Sequence, residues 1–189
     1  MIYVITGKSA SGKDTFKRML LQETELNPII TMTTRKPRAK EVDGVDYFFK
    51  TIEEFEDMID YGELMEFNAY VSEKDGQEVR TYYGSPSVDE SKDWVIVLDP
   101  AGVKVYKQFY GRDNVKVIYL DCDESIRKQR AMKRGSCTEE IWEDRRKADE
   151  RLFDGVEEYC DFVVNTERDD ALFNFLREFL NKEVYSRDV

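Results

Sequence analysis

The stretch Gly7-Lys8-Ser9-Ala10-Ser11-Gly12-Lys13-Asp14-Thr15 directly follows a short apolar run, Ile2-Tyr3-Val4-Ile5. It reads G-x-x-x-x-G-K, with Asp14 and then the hydroxyl of Thr15 after the lysine. A buried strand that feeds a glycine-rich turn and then a helix makes a phosphate cradle. Successive main-chain N–H groups point inward, the helix N-terminus adds partial positive charge, and Lys13 reaches the outer phosphates. The amphipathic Phe16-Lys17-Arg18-Met19-Leu20-Leu21 supplies the helix. The pattern names a ligand class, a nucleoside di- or triphosphate. One detail departs from the strict form, which has Ser or Thr immediately after the lysine; here Asp14 intervenes.

Composition narrows the class further. A chain of 189 residues, 41% hydrophobic and 37% charged, suits one globular domain with a substantial core. No run approaches the ~20 apolar residues of a membrane helix, and the N-terminus lacks the regions of a secretory signal. Cys122, Cys137 and Cys160 have no metal-ligand spacing and read as thiols of a reducing cytoplasm. There is no histidine, so histidine general bases and histidine-bound zinc are excluded. A net charge of −11 argues against broad nucleic-acid binding. Against that acidity two basic clusters stand out. One is Arg35-Lys36-Pro37-Arg38 with Lys40; the other is Arg127, Lys128, Arg130, Lys133 and Arg134, followed by Arg145 and Arg146. Such runs are often solvated faces, but a protein that holds a polyphosphate needs cations to offset it.

Apolar runs alternate with helical patterns. Strands are expected at Ile2–Thr6, Ile29–Thr33, Trp94–Leu98, Val115–Leu120 and Phe162–Val164. Helices are expected over Lys13–Glu23, Val103–Tyr110, Glu124–Lys133, Glu139–Tyr159 and Asp170–Lys182, with Asp123 and Asp170 as N-caps. That alternation predicts an α/β fold with a parallel five-stranded sheet flanked by helices and ligands at the strands' carboxyl ends. Between Val45 and Gly84 the pattern changes to Tyr47-Phe48-Phe49, a helix Ile52–Asp60, and alternation over Glu63–Tyr70. Asp75-Gly76 reads as a hairpin turn, so a small mixed subdomain is expected there. Gly135-Ser136-Cys137-Thr138 interrupts two helical patterns among arginines, as the tip of a lid would.

The strip Thr31–Phe49 concentrates groups suited to a second anion. Arg35 and Arg38 can fork onto phosphate oxygens, Pro37 stiffens the loop, Glu41 adds a carboxylate and Tyr47 a phenol. Glu66, in a strand-like stretch, can accept two hydrogen bonds from a base edge. On these residues the chain resembles guanylate kinases, which phosphorylate GMP with ATP. The resemblance is carried by Thr33-Thr34-Arg35-Lys36-Pro37-Arg38, Glu41, Gly44 and Asp46-Tyr47-Phe48-Phe49. It continues through Gly62-Glu63-Leu64-Met65-Glu66, Tyr82-Tyr83-Gly84-Ser85, Val97-Leu98-Asp99, the Arg130–Gly135 stretch and Val163-Val164-Asn165. Together with the phosphate loop these span nearly the whole chain.

The resemblance implies a P-loop core over about 1–33 and 86–189, a GMP-binding subdomain over about 34–85 and a helical lid over about 127–150. Gly7, Ser9, Ala10, Ser11, Gly12, Lys13, Asp14 and Thr15 would hold ATP. Arg35, Arg38, Tyr47 and Tyr83 would hold the GMP phosphate, while Glu66, Thr31 and Ser85 read guanine. Glu41 and Asp99 would help position the substrate and the metal's water shell. Lys13, Arg35, Arg130, Arg134 and Arg145 would offset charge on the transferring group, with Mg²⁺ as the cofactor that accompanies ATP. Thr15 or Asp14 would meet that metal, directly or through water. The implied partners are GMP and ATP, with no nucleic acid and no membrane.

Three departures from the family pattern are visible. Ala10 replaces a glycine of the phosphate loop, Asp99-Pro100-Ala101 lacks the second carboxylate of Asp-x-Asp, and Val71–Arg80 lengthens the link from Glu66 to Tyr82. Two alternatives stand beside this reading, the first motivated by Ala101 and the lengthened Val71–Arg80 link. One is a kinase for another nucleoside or deoxynucleoside monophosphate. The other is a non-catalytic interaction module of the same fold, which Lys13 and its loop argue against.

Overall fold

The computed structural model describes residues 1–74, 77–133, 135, 137–168 and 170–181, and of 72–74 the backbone alone. Chain order is β1 (Ile2–Thr6), α1 (Lys13–Glu23), β2 (Asn27–Pro28), β3 (Met32–Thr33), β4 (Phe48–Phe49), α2 (Ile52–Asp60), β5 (Glu66–Lys74) and β6 (Gln77–Ser85). It continues with β7 (Trp94–Val97), α3 (Pro100–Tyr110), β8 (Val115–Asp121), α4 (Glu124–Lys133), α5 (Glu139–Leu152), β9 (Phe162–Asn165) and α6 (Ala171–Phe179). The backbone divides into two compact units, Pro28–Lys92 and the remainder on either side of it.

The larger unit is built on a five-stranded sheet in the order β2-β7-β1-β8-β9. Its β1 runs parallel to both β7 and β8, and β8 parallel to β9. All five residues of β1 are buried, as a strand covered on both faces requires. Tyr3 and Ile5 meet Phe16 and Leu20 of α1 and Leu176 and Phe179 of α6 in one apolar cluster. The Tyr3 and Phe179 rings sit edge to face, centroids 5.2 Å apart.

Here the strand expected at Ile29–Thr33 needs correction. Asn27–Pro28 supplies the edge strand, anchored by the Asn27 N–H to the Asp93 carbonyl at 3.0 Å, while Met32–Thr33 belongs to the other sheet. The long helix expected over Glu139–Tyr159 also ends early. Gly155 takes a left-handed conformation, φ 66°, after which Val156–Tyr159 forms a 3-10 turn. Asp123 caps α4 as expected, accepting from the Ser125 N–H at 2.8 Å. Asp170 does not cap α6 through its side chain; its carboxylate is taken by Arg168.

The smaller unit carries a four-stranded sheet, β4-β3-β6-β5. The antiparallel pair β5–β6 places Glu66 opposite Ser85 and runs out to Lys74 opposite Gln77. The turn expected at Asp75-Gly76 lies outside the described residues. Helix α2 starts with a capping box between Thr51 and Glu54. It lays fully buried Phe55 on Tyr82, rings stacked at 5.2 Å. Gly84 permits that approach: a Cβ there would come within 2.9 Å of the Phe55 ring and 3.0 Å of the Glu66 carbonyl.

Candidate functional site

In the larger unit, the chain leaves β1 at Gly7 and enters α1 at Lys13 through a loop of unusual backbone angles. Ala10 has φ 64° and Gly12 has φ 107°, and among the described residues Ala10 alone takes positive φ without being glycine. An L-residue there costs roughly 1–2 kcal/mol, and strain of this kind clusters where a loop must present its amides. Gly7 is required by space, since a Cβ would sit 2.6 Å from Ser11 Oγ and 2.7 Å from the Leu120 carbonyl. Helix α1 has no side-chain N-cap, which leaves its first N–H groups facing the loop. Lys13 Nζ donates back to the Gly7 and Lys8 carbonyls at 2.6 and 3.1 Å. The lysine thus ties the start of the loop to its end.

Beside this loop lies an open cleft of about 340 Å³ lined by Ala10, Gly12, Thr15, Arg130, Lys133 and Arg168, among others. Thr15 faces the cleft, and Asp14 is exposed in the first turn of α1. Arg130 is anchored: its Nη2 donates to the Thr166 carbonyl at 2.7 Å. Arg145 is half-buried on α5, and Arg134 lies outside the described residues. Lys133, from the second basic cluster, lines this cleft, while sequence reasoning missed Arg168 and Thr166 as neighbours of the loop. Thr166 Oγ1 stands 3.0 Å from the Ser11 carbonyl, a contact across 155 positions of sequence that no local pattern encodes. Asp99 is in this unit and caps α3, accepting from the Gly102 N–H at 2.8 Å.

In the smaller unit the remaining predicted residues converge. Arg35 meets Glu41 in a fork, Nη1 to Oε2 and Nη2 to Oε1, each at 2.9 Å. Arg38 adds its main-chain N–H to Oε2 at 2.7 Å and Nη1 to Oε1 at 3.3 Å. Burial pulls the Arg35 guanidinium toward lower pKa, but Glu41 and the nearby tyrosines outweigh it and the net shift is upward. Burial likewise pushes Glu41 up, yet the bonds from Arg35 and the Arg38 N–H hold it below the ordinary carboxylate value. Arg35 Nε is buried with no acceptor. Its guanidinium carbon lies 5.4 Å from the Tyr47 ring centre and 5.8 Å from that of Phe49. Tyr83 joins the cluster, its ring 6.3 Å from Tyr47 and 5.6 Å from Tyr70. The Thr31 carbonyl accepts from the Phe48 N–H at 2.9 Å, which pins the start of the strip. On the facing pair of strands, Ser85 Oγ donates to Glu66 Oε1 at 2.7 Å. A fixed carboxylate beside a fixed hydroxyl can offer a hydrogen-bonding edge to a base, and an arginine pair beside tyrosines has the donors to take a phosphate monoester.

Comparison with known proteins agrees with that chemistry. A family model described as guanylate kinase matches residues 1–183. The chain is 33% identical over 175 residues to a guanylate kinase of Enterococcus faecalis, covering 88% of this chain and 81% of that protein. It is 34% identical over 177 residues to one from Bacillus cereus, covering 89% and 81%. The crystal structure of guanylate kinase from Anaplasma phagocytophilum shares the fold, with a TM-score of 0.68 at 23% identity over 97% of this chain and 85% of that one. With the phosphate loop, the arginine fork and the Glu66–Ser85 edge all present on this fold, the chain belongs to the guanylate kinase family.

Proposed function

We propose that this chain transfers the terminal phosphoryl group of ATP to GMP, giving ADP and GDP, with the loop at Gly7–Thr15 holding ATP and the strip from Thr31 with Glu66, Tyr83 and Ser85 holding GMP. The observation that carries the GMP half is the Arg35–Glu41–Arg38 arrangement. It presents two guanidinium groups, one with a buried donor free to turn to phosphate, beside two phenols. Glu66, already fixed by Ser85, takes the ring N–H and exocyclic amine of guanine. Adenine offers no such donor pair and would leave a carboxylate unmatched, a mismatch worth up to about 10⁴-fold.

Phosphoryl transfer is mainly alignment and charge neutralisation. Lys13 and the loop amides grip the donor's phosphates, Arg35 orients the acceptor, and Arg130, Arg134 and Arg145 offset charge on the moving group. The acceptor oxygen is already ionised, so no general base is needed and the lack of histidine is immaterial. Asp99, as the cap of α3, would act on substrate or metal through water. Mg²⁺, arriving with ATP, would supply charge neutralisation at its outer phosphates. Among the described residues no three His, Cys, Asp or Glu side chains converge as a metal cage. Thr15 or Asp14 would supply one or two ligands to that ion, the rest coming from phosphates and water. We assign the work to the cytoplasm. The three described cysteines are free thiols, and no described helix is long and apolar enough to cross a membrane. Exchanging GMP for AMP in an ADP-forming assay tests the reading: activity with AMP comparable to that with GMP would refute it.

A further inference from the structure

Ser9 is held on all three of its polar groups. Its N–H donates to Asp149 Oδ2 at 2.8 Å and its hydroxyl to Oδ1 at 3.2 Å. Its carbonyl accepts from Arg127 Nη1 at 3.3 Å. The same Nη1 reaches Asp149 Oδ2 at 3.3 Å, and Arg127 Nε donates to the Cys122 carbonyl at 3.1 Å. Both charged residues are buried, Arg127 4% and Asp149 7% exposed. The guanidinium stacks 5.5 Å from the ring centre of fully buried Trp142. Arg127 comes from α4, while Asp149 and Trp142 come from α5.

A buried carboxylate beside a polyphosphate site is costly twice over. It loses hydration, and its charge repels the incoming anion. Arg127 removes the second cost by neutralising Asp149 within the buried cluster. What remains is geometry. An N–H committed to Asp149 is not offered to a phosphate, so Ser9 serves as the loop's fixed post. The left-handed turn at Ala10 and Gly12 starts from that post and delivers the chain into α1. The reaction chemistry uses neither Asp149 nor Arg127.

We propose that Asp149, neutralised by Arg127, is a positioning residue that presets the phosphate loop through Ser9, and that this brace makes ATP use depend on α5. The proposal rests on the reading of the loop as the ATP site. Three variants test it: Asp149→Asn, Asp149→Ala, and Asp149→Ala combined with Arg127→Leu. The double variant buries no unpaired charge and so protects folding. Each is examined by thermal melting, by KM and kcat with ATP and GMP varied in turn, and by calorimetric titration with ATP alone. Asp149→Ala and the double variant should each lose roughly 100-fold in kcat/KM for ATP, with weaker ATP binding and KM for GMP within about twofold of the parent. Asp149→Asn keeps an acceptor for the Ser9 N–H and should recover most of that loss. Variants that differ from the parent only in melting temperature would overturn the proposal, as would equal losses for both nucleotides. A parent protein that makes no ADP with GMP would instead strike the kinase reading, while calorimetry with ATP would still read the brace.

Discussion

The two segments proposed to hold the nucleotides' phosphates are built from different parts of the chain. The Gly7–Thr15 loop is built from its backbone: a glycine with no room for a Cβ, three residues at positive φ, and a lysine that bonds the loop's own carbonyls. The strip around Arg35 is built from side chains, with Glu41 holding two guanidinium groups in place. A backbone site is damaged by a methyl group and a side-chain site by a lost charge. The first kind of damage reaches the fold, the second mainly the ligand.

Lys13→Met should show the largest effect. Turnover should fall by roughly 1000-fold, as when a key charged donor at a transferring group is removed, with little change in melting; steady-state kinetics beside circular dichroism checks this. Arg35→Ala comes next: kcat/KM for GMP should drop by about 100-fold, the order expected for a hydrogen-bonded charge that also positions the acceptor, while ATP binding by calorimetry stays at the parent value. Glu66→Gln should weaken GMP use by about 1–3 kcal/mol and ATP affinity hardly at all; equal losses for the two nucleotides would contradict base reading. Gly7→Ala inverts the pattern. Crowding against Ser11 Oγ and the Leu120 carbonyl should cost about 1–3 kcal/mol of stability in denaturant unfolding.

The smallest effect is the pH dependence of Glu41. Its carboxyl is held below the ordinary 4.5 despite the opposing pull of burial. Its contribution is therefore complete above that value and fades as pH falls below it. The stability difference between parent and Glu41→Gln should shrink on acidification below pH 4.5. The larger unit titrates at the other end. Burial pushes Tyr119 and Tyr159 from 10 to about 12, so their contribution is full below pH 10 and is lost as pH rises toward 12.

How legible each segment was follows from the same contrast. The loop was readable because backbone conformation demands glycines at fixed spacing beside a strand and a helix. The parallel core was readable because β1, β7, β8 and β9 are short, mostly apolar runs rich in β-branched residues, separated by helical patterns. Met32–Thr33 was assigned to the wrong sheet because an apolar run does not say which partner it pairs with. Asp149 stayed hidden in a helix where charged residues predominate, indistinguishable in sequence from a solvated face, although it touches Ser9 across 140 positions. Arg127 was grouped with the lid cations, yet it is buried. Asp99, expected to help position the substrate and the metal's water shell, also caps α3, a role that Pro100 immediately after it advertises.

The decisive measurement is ADP formation from ATP across a panel of GMP, dGMP, AMP, UMP and dTMP, read by a coupled assay with the full chain. The proposed pair of nucleotide seats, with Glu66 assigned to guanine, predicts strong turnover with GMP, appreciable turnover with dGMP and little with the rest. Preference for a non-guanine base, or no ADP with any acceptor, would contradict it.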